Sequence, residues 1–346
     1  MKALVYRGPG SLLLEERTRP HPGEGEALLK VDASSICGTD LRITAGSHRA
    51  YAGNSGRIPG HEIAGTVVET GDGAAASVGE SVFVAPNYGC GHCRECHRGQ
   101  VNLCAEPRAV GITEDGGFAE YVLLRRDLVD QGNLLRFGDG TDPAAVALAE
   151  PLACALRGSR ACRIGDEDVV VVYGAGPIGL FHVALARLAG ASTVVVCEPN
   201  VDRRQRALAW GATSVHDANL EELQAALEDA GATRGADAVV VAAPVAAAQG
   251  QALELAGPGG RVNFFAGLPR DRSRIELDSN LIHYKELVVT GTTASTNDEC
   301  RAALHLIVGG LVDVSSLIDA RFDLASAGDA FALAGSGRAL KVVIEP

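Results

Sequence analysis

The chain has 346 residues, 47% of them hydrophobic and 21% charged, with a formal net charge of −12. That length exceeds one ordinary core and fits two domains, and no low-complexity tract or internal repeat argues for disorder or a solenoid. The acidic balance argues against nucleic acid or an anionic membrane as a partner, and no run reaches the roughly 18 apolar residues of a spanning helix.

The opening MKALVYRGPG reads as a strand and turn, not as a signal peptide, so a cytoplasmic location is expected. In that compartment the nine cysteines are read for spacing before disulfides. Residues 1–150 read as mostly β: Ala27–Val31, Ile63–Glu69, Ser81–Ala85 and Ala119–Leu124 are short alternating runs between Gly, Pro and Asp turns. The character changes after about residue 150. DVVVVY at Asp168–Tyr173 is a continuous apolar strand of the kind buried on both faces of a parallel sheet. A helical pattern follows over Pro177–Ala189, then a strand at Thr193–Cys197 and a helix over Arg203–Trp210. The alternation continues with a strand at Ala238–Ala242, a helix to about Ala256, and strands at Arg261–Phe265 and Leu287–Thr290. Such alternation predicts a doubly wound α/β sheet. Asn280–Glu286 reads as a plain connection, and Ala339–Ile344 as a last strand whose domain periodicity does not assign.

Gly174-Ala175-Gly176-Pro177-Ile178-Gly179 follows the first buried strand and opens a helix. The first glycine permits a tight turn, the second a close approach to a pyrophosphate, and the third tight helix–strand packing. The helix N-terminus, starting at Pro177 and Ile178, offers free N–H groups to the phosphates. Glu198 ends the next strand, 19 residues after Gly179, where a carboxylate accepts bonds from a ribose diol and repels a 2′-phosphate. NAD is therefore expected over NADP, a preference that Arg203 and Arg204 weaken.

Cys90-x2-Cys93-x2-Cys96-x7-Cys104 is the most specific spacing in the chain. Four thiolates on one loop suit a closed, tetrahedral, structural Zn²⁺ site, with an iron–sulfur centre or a disulfide pair as alternatives. His92 and His97, between them, read as exposed loop residues. Three further motifs are weak singly: Ile36-Cys37-Gly38-Thr39-Asp40, Gly60-His61-Glu62 and Ala149-Glu150-Pro151-Leu152. Together they offer sulfur, nitrogen and oxygen donors from separate loops, which suits an open zinc site with one exchangeable position.

On these motifs the chain resembles the medium-chain zinc-dependent alcohol dehydrogenase family, and within it the sorbitol (polyol) and threonine dehydrogenase branch. The resemblance implies a mostly β, GroES-like catalytic domain built from both chain ends (1–156 and 295–346, with a zinc-binding lobe at 88–106). A Rossmann domain over 157–294 is inserted in it. The resemblance also implies one catalytic and one structural zinc per chain, and a homodimer or homotetramer. Carried over, Cys37 and His61 are zinc ligands. The third is the residue matching Glu62 in the polyol branch, or that matching Glu150 in other branches. Related enzymes often place a histidine shortly after the Cys-Gly-Thr-Asp motif as part of a proton path. Asp40-Leu41-Arg42-Ile43 has none, which counts against threonine as substrate.

The expected chemistry is oxidation of a secondary alcohol of a polyol, sugar alcohol or cyclitol. The metal lowers the pKa of the hydroxyl, Thr39 passes the proton outward, and hydride goes to the nicotinamide. Thr39 could instead cap a local helix. Rival readings are a threonine or simple alcohol dehydrogenase, a zinc-free reductase on the same fold, and a non-catalytic NAD-binding protein.

Overall fold

The computed structural model describes residues 1–51 and 55–346. The chain divides into two compact units, Met1–Ala153 with Ala294–Pro346, and Cys154–Thr293.

The first unit is built on a sheet whose central strand is Ala27–Ser35. Its Ala27, Leu29 and Val31 point into a core with Ile63, Val67, Val82 and Val84, as two-residue alternation requires. The strand Glu62–Thr70 pairs antiparallel on one side of it, with Ser35 opposite Glu62. On the other side lies the C-terminal strand Lys341–Ile344, with Val343 opposite Ser35. The tail therefore returns to the unit that holds the N-terminus. Ile318–Phe322 continues the sheet beyond it, while Ser81–Val84 and Leu134–Arg136 complete the opposite edge. One consequence of this register governs the site. Cys37, Glu62 and Lys341 all come to the same end of three adjacent strands.

The second unit holds a six-stranded parallel sheet. Its spatial order is Ser214–His216, Thr193–Cys197, Val169–Tyr173, Ala236–Val241, Ala256–Phe264 and Val288–Gly291. The central strand VVVVY is buried along its whole length, as the apolar run predicts. The order reverses direction between Val169–Tyr173 and Ala236–Val241, which makes the crevice beyond their C-terminal ends the usual ligand position of such a sheet. Two elements escape the sequence pattern. The edge strand Ser214–His216 is three half-buried residues with no apolar run. The helix Leu220–Asp229 buries only Leu223, Ala226 and Leu227. The connection before the last strand contains a short helix, Ser279–Tyr284. The next residue, Lys285, donates from Nζ to the carbonyls of Leu253, Glu254 and Ala256 at 3.3, 2.9 and 2.8 Å. It thereby satisfies the end of the helix Ala246–Leu255.

His182, on the helix Pro177–Leu188, is fully buried, and neither ring nitrogen has a hydrogen-bond partner among the described residues. Its ring packs edge-on to Phe265 at 5.0 Å and lies against Gly158, where an added Cβ would fall 2.8 Å from it. Burial pushes its pKa down to about 3. Below the ordinary value of 6.5 the unfolded chain takes up a proton that the folded chain refuses. Stability therefore rises with pH between about 3 and 6.5 and is lost as pH falls through that window. Denaturant midpoints at pH 7 and pH 5 are expected to show this one group costing roughly 2 kcal/mol on acidification. In His182→Leu that share of the loss disappears; an unchanged acid slope would refute the assignment.

Candidate active site

The helix Gly38–Thr44 starts directly after Cys37, whose backbone N–H donates to Asp40 Oδ2 at 2.9 Å. This bond fixes the turn that brings Cys37 off the end of the strand Ala27–Ser35. Glu62 opens the neighbouring strand, and His61 directly precedes it. Through the register described above, ligand atoms of Cys37, His61 and Glu62 fall within 4.8 Å of one another. Asp40, fully buried, places Oδ1 at 3.4 Å from His61 Nδ1, and neither of these two atoms has a hydrogen-bond partner among the described residues. Burial alone would lower the imidazole pKa, but Asp40 and Cys37 outweigh it and raise it well above the ordinary value. With thiolate, imidazole and carboxylate as donors, the set fits an open zinc site.

Glu62 is also held by a buried ammonium. Lys341 Nζ donates to both of its oxygens at 2.6 Å and to the carbonyl of Ile36 at 3.4 Å. Both side chains are buried. Burial works against the ammonium, but Glu62, Cys37 and Glu150 prevail and raise its pKa. Glu150, on the helix Ala149–Ala161, is buried and stands in electrostatic reach of Lys341, outside the Cys37–His61–Glu62 group.

The four lobe cysteines also converge, with their sulfur atoms within 4.8 Å. The paired strands Asn87–Tyr88 and Arg108–Ala109 close the neck of the loop. None of the nine cysteines is in a disulfide. Cys93 Sγ and Cys104 Sγ are 3.7 Å apart, far beyond a covalent bond. The backbone N–H of His92 draws Cys90 down to about 6, whereas burial pushes Cys96 up to about 12. Four anionic sulfurs at such range repel one another unless a cation sits among them. His92 and His97 are exposed.

The Gly-rich turn lies at the end of Val169–Tyr173, at the switch point of the sheet. Gly174 has φ +97°, which disfavours any side chain. A Cβ on Gly179 would fall 1.9 Å from the Gly174 carbonyl, while one on Gly176 would meet nothing within 4 Å. Gly176 is the N-cap and Pro177 the first residue of the helix Pro177–Leu188, which continues through Ile178. Glu198 is buried and accepts from the backbone N–H of Ala175 at 2.8 Å and of Asn200 at 3.0 Å. It thus anchors the turn. Arg203 lies in the first turn of the helix Val201–Ala209.

A pair of variants separates folding from binding here. Gly179→Ala is expected to lower the melting temperature by several degrees through its backbone clash. Gly176→Ala is expected to melt within a degree or two of the wild type while raising the KM for the dinucleotide at least tenfold. Thermal melts beside cofactor titrations check both, and equal binding by Gly176→Ala would count against a pyrophosphate at this turn.

Residues 23–131 match the alcohol dehydrogenase GroES-like domain family, and residues 177–309 match the zinc-binding dehydrogenase family. The chain is 30% identical over 332 residues to L-galactonate-5-dehydrogenase of Escherichia coli (strain K12), covering 96% of this chain and 94% of that one. It is 35% identical over 297 residues to L-threonine 3-dehydrogenase of Pyrococcus horikoshii, covering 85% and 83%. The chain belongs to the zinc-dependent medium-chain alcohol dehydrogenase family, in its polyol and threonine branch. Among solved structures, a Sinorhizobium meliloti 1021 protein described as a zinc-binding dehydrogenase and bound to NADP superposes with a TM-score of 0.91. It is 34% identical and the match covers 100% of this chain and 99% of that one.

This dehydrogenase therefore joins a GroES-like catalytic fold to a Rossmann sheet and uses zinc and a nicotinamide cofactor on an alcohol. Among the described residues no helix is long and apolar enough to cross a membrane. Thr39 stands in the first turn after Cys37, but its hydroxyl does not cap that helix. It accepts from Arg42 Nη2 at 3.0 Å. Two residues of the site escaped the sequence reading. Asp40 sits inside the Cys-Gly-Thr-Asp motif, and its signal was an acidic residue three positions into a helix. Lys341 is one of only four lysines, standing in an otherwise apolar strand. That anomaly was visible, but its partner was not.

Proposed function

We propose that this dehydrogenase oxidises a secondary hydroxyl of a polyol, sugar alcohol or cyclitol to the ketone, with NAD as hydride acceptor. The observation that carries the reading is the gathering of Cys37, His61 and Glu62, a ligand set with a carboxylate where a second thiolate could have stood. The similarity to an L-galactonate-5-dehydrogenase supports a polyhydroxylated substrate. Zinc bound by these residues supplies a Lewis acid that lowers the pKa of the substrate hydroxyl. Glu150 stays a reserve carboxylate near Lys341. Thr39 accepts one hydrogen bond from Arg42 and keeps its own hydrogen and a second lone pair for a proton relay. Arg42 cannot itself take the proton, so the relay leaves past it to water.

A second zinc in the four-cysteine lobe orders that loop. NAD is preferred because Glu198 would repel a 2′-phosphate; the NADP-bound neighbour and the nearby Arg203 make this the sharpest point of the test. A homodimer or homotetramer is supported by the open edge strand Val288–Gly291, whose Val288 is exposed. The test is a coupled assay over linear polyols, cyclitols, aldonates, threonine and simple alcohols, run with NAD and with NADP. Zinc is counted and the mass in solution measured on the same sample. Turnover highest on polyols with NAD, at two zinc ions per chain, is expected. Threonine as the best substrate would overturn the polyol reading, and no turnover with zinc bound would overturn the enzymatic one.

A further inference from the structure

The buried ammonium of Lys341 has three fixed contacts. It is equidistant from the two oxygens of Glu62, at 2.6 Å each, and 3.4 Å from the carbonyl of Ile36, the residue before Cys37. Equal distances put Nζ in the plane that bisects the two oxygens, and donation to both puts it on the side from which a metal would chelate them. The backbone fixes this arrangement, since Ile36 N–H donates to the Val342 carbonyl at 2.9 Å and Val343 lies opposite Ser35. A lysine this buried is held only by its partners. Here those partners are one candidate ligand and the chain leading to another.

We infer that Lys341 is a positioning residue that occupies the chelating face of Glu62, so that Glu62 can offer the catalytic metal no more than one oxygen. The inference rests on the reading of Cys37, His61 and Glu62 as metal ligands. A carboxylate that shares its charge with an ammonium is a weaker donor than a free one, and the other partners of a ligand set its strength and orientation. The substrate hydroxyl then competes for the metal with a restrained ligand. Without the ammonium, Glu62 turns both oxygens to the metal, binds it more tightly and blocks the exchangeable position.

The test uses the zinc-loaded and the cobalt-substituted full chain of the wild type, Lys341→Met, Lys341→Gln and the double variant Lys341→Met/Glu62→Gln. Lys341→Met is expected to keep two metal ions per chain and to release the catalytic one to a chelator at least tenfold more slowly. Its cobalt spectrum should shift towards a higher coordination number; the four-thiolate lobe contributes equally to all variants and cancels in the difference. kcat should fall at least tenfold, and the double variant should release metal at least as fast as the wild type. Lys341→Gln gives the same readout with a side chain that still hydrogen-bonds, in case the Met variant does not fold. Faster metal loss, or an unchanged spectrum and release rate in both single variants, would overturn the inference. If His61→Ala removes no metal from the wild type, the ligand reading itself fails; that result is separate from any behaviour of Lys341.

Discussion

His61→Ala is expected to bind one zinc ion fewer per chain than the wild type and to lose about 10³- to 10⁵-fold in kcat/KM. The magnitude follows from the several kcal/mol of charge stabilisation that a metal supplies to a reacting oxygen, at about 1.4 kcal/mol per tenfold. Truncation removes the imidazole donor and leaves Cys37 and Glu62, the latter already shared with Lys341. Two donors hold zinc poorly where three barely close the site. The fold should survive, since the sheet register that carries His61 is fixed by backbone bonds between Ala27–Ser35 and Glu62–Thr70. Cys37→Ser tests the same site from the other strand and is expected to behave alike. The measurements are the coupled assay, a zinc count and a thermal melt on one preparation. Full turnover at two zinc ions per chain in either variant would sink the assignment.

The parts of this protein that were legible in the sequence are those whose physics is local. VVVVY announces a strand buried on both faces because its four successive valines leave neither face polar, and the Gly-rich turn follows it directly. The four-cysteine loop carries its whole ligand set within 15 residues, so spacing alone suggests convergence. Ser214–His216 was missed because a three-residue edge strand has no burial pattern to show. The Cys37, His61 and Glu62 group was legible only through a family pattern. Its gathering depends on a long-range register, Ser35 against both Glu62 and Val343, that no periodicity encodes. Lys341 could not be paired with Glu62 from sequence for the same reason. Glu150 stood beside Glu62 as an equal candidate; in the structure it lies near Lys341 but outside the ligand group. Asp40 was quoted as part of a motif without a role, because its contact with His61 joins the helix Gly38–Thr44 to a residue distant in sequence.

The lobe gives the second large effect. Cys96→Ser is expected to remove the other zinc ion and to unfold residues 88–106, with a fall in melting temperature and early proteolytic cleavage there. The loop has little else to order it. Cys104 is its one buried cysteine, and the short helix Arg94–His97 buries no residue. Structural zinc binding in small sites is worth on the order of 10–16 kcal/mol, and there it is folding energy. The damage should stop at the neck. At the neck Gln131 bonds Gly89 on both its donor and acceptor sides, and beyond it Asn133 donates to the carbonyls of Ala85 and Asn87. Because a site closed by four thiolates leaves no position for a substrate, intact molecules should keep most of their kcat at low temperature while losing activity quickly on warming. Gly89→Ala tests the same site without replacing a ligand, since its Cβ would fall 2.3 Å from Cys96 Sγ and must push that sulfur aside. It should lose zinc from the lobe while keeping all four thiols. Hydrogen exchange over 88–106 read beside the zinc count distinguishes the cases. An unchanged zinc count in Cys96→Ser would show that the four cysteines hold no metal. A lost zinc with protection intact would show that the loop orders itself.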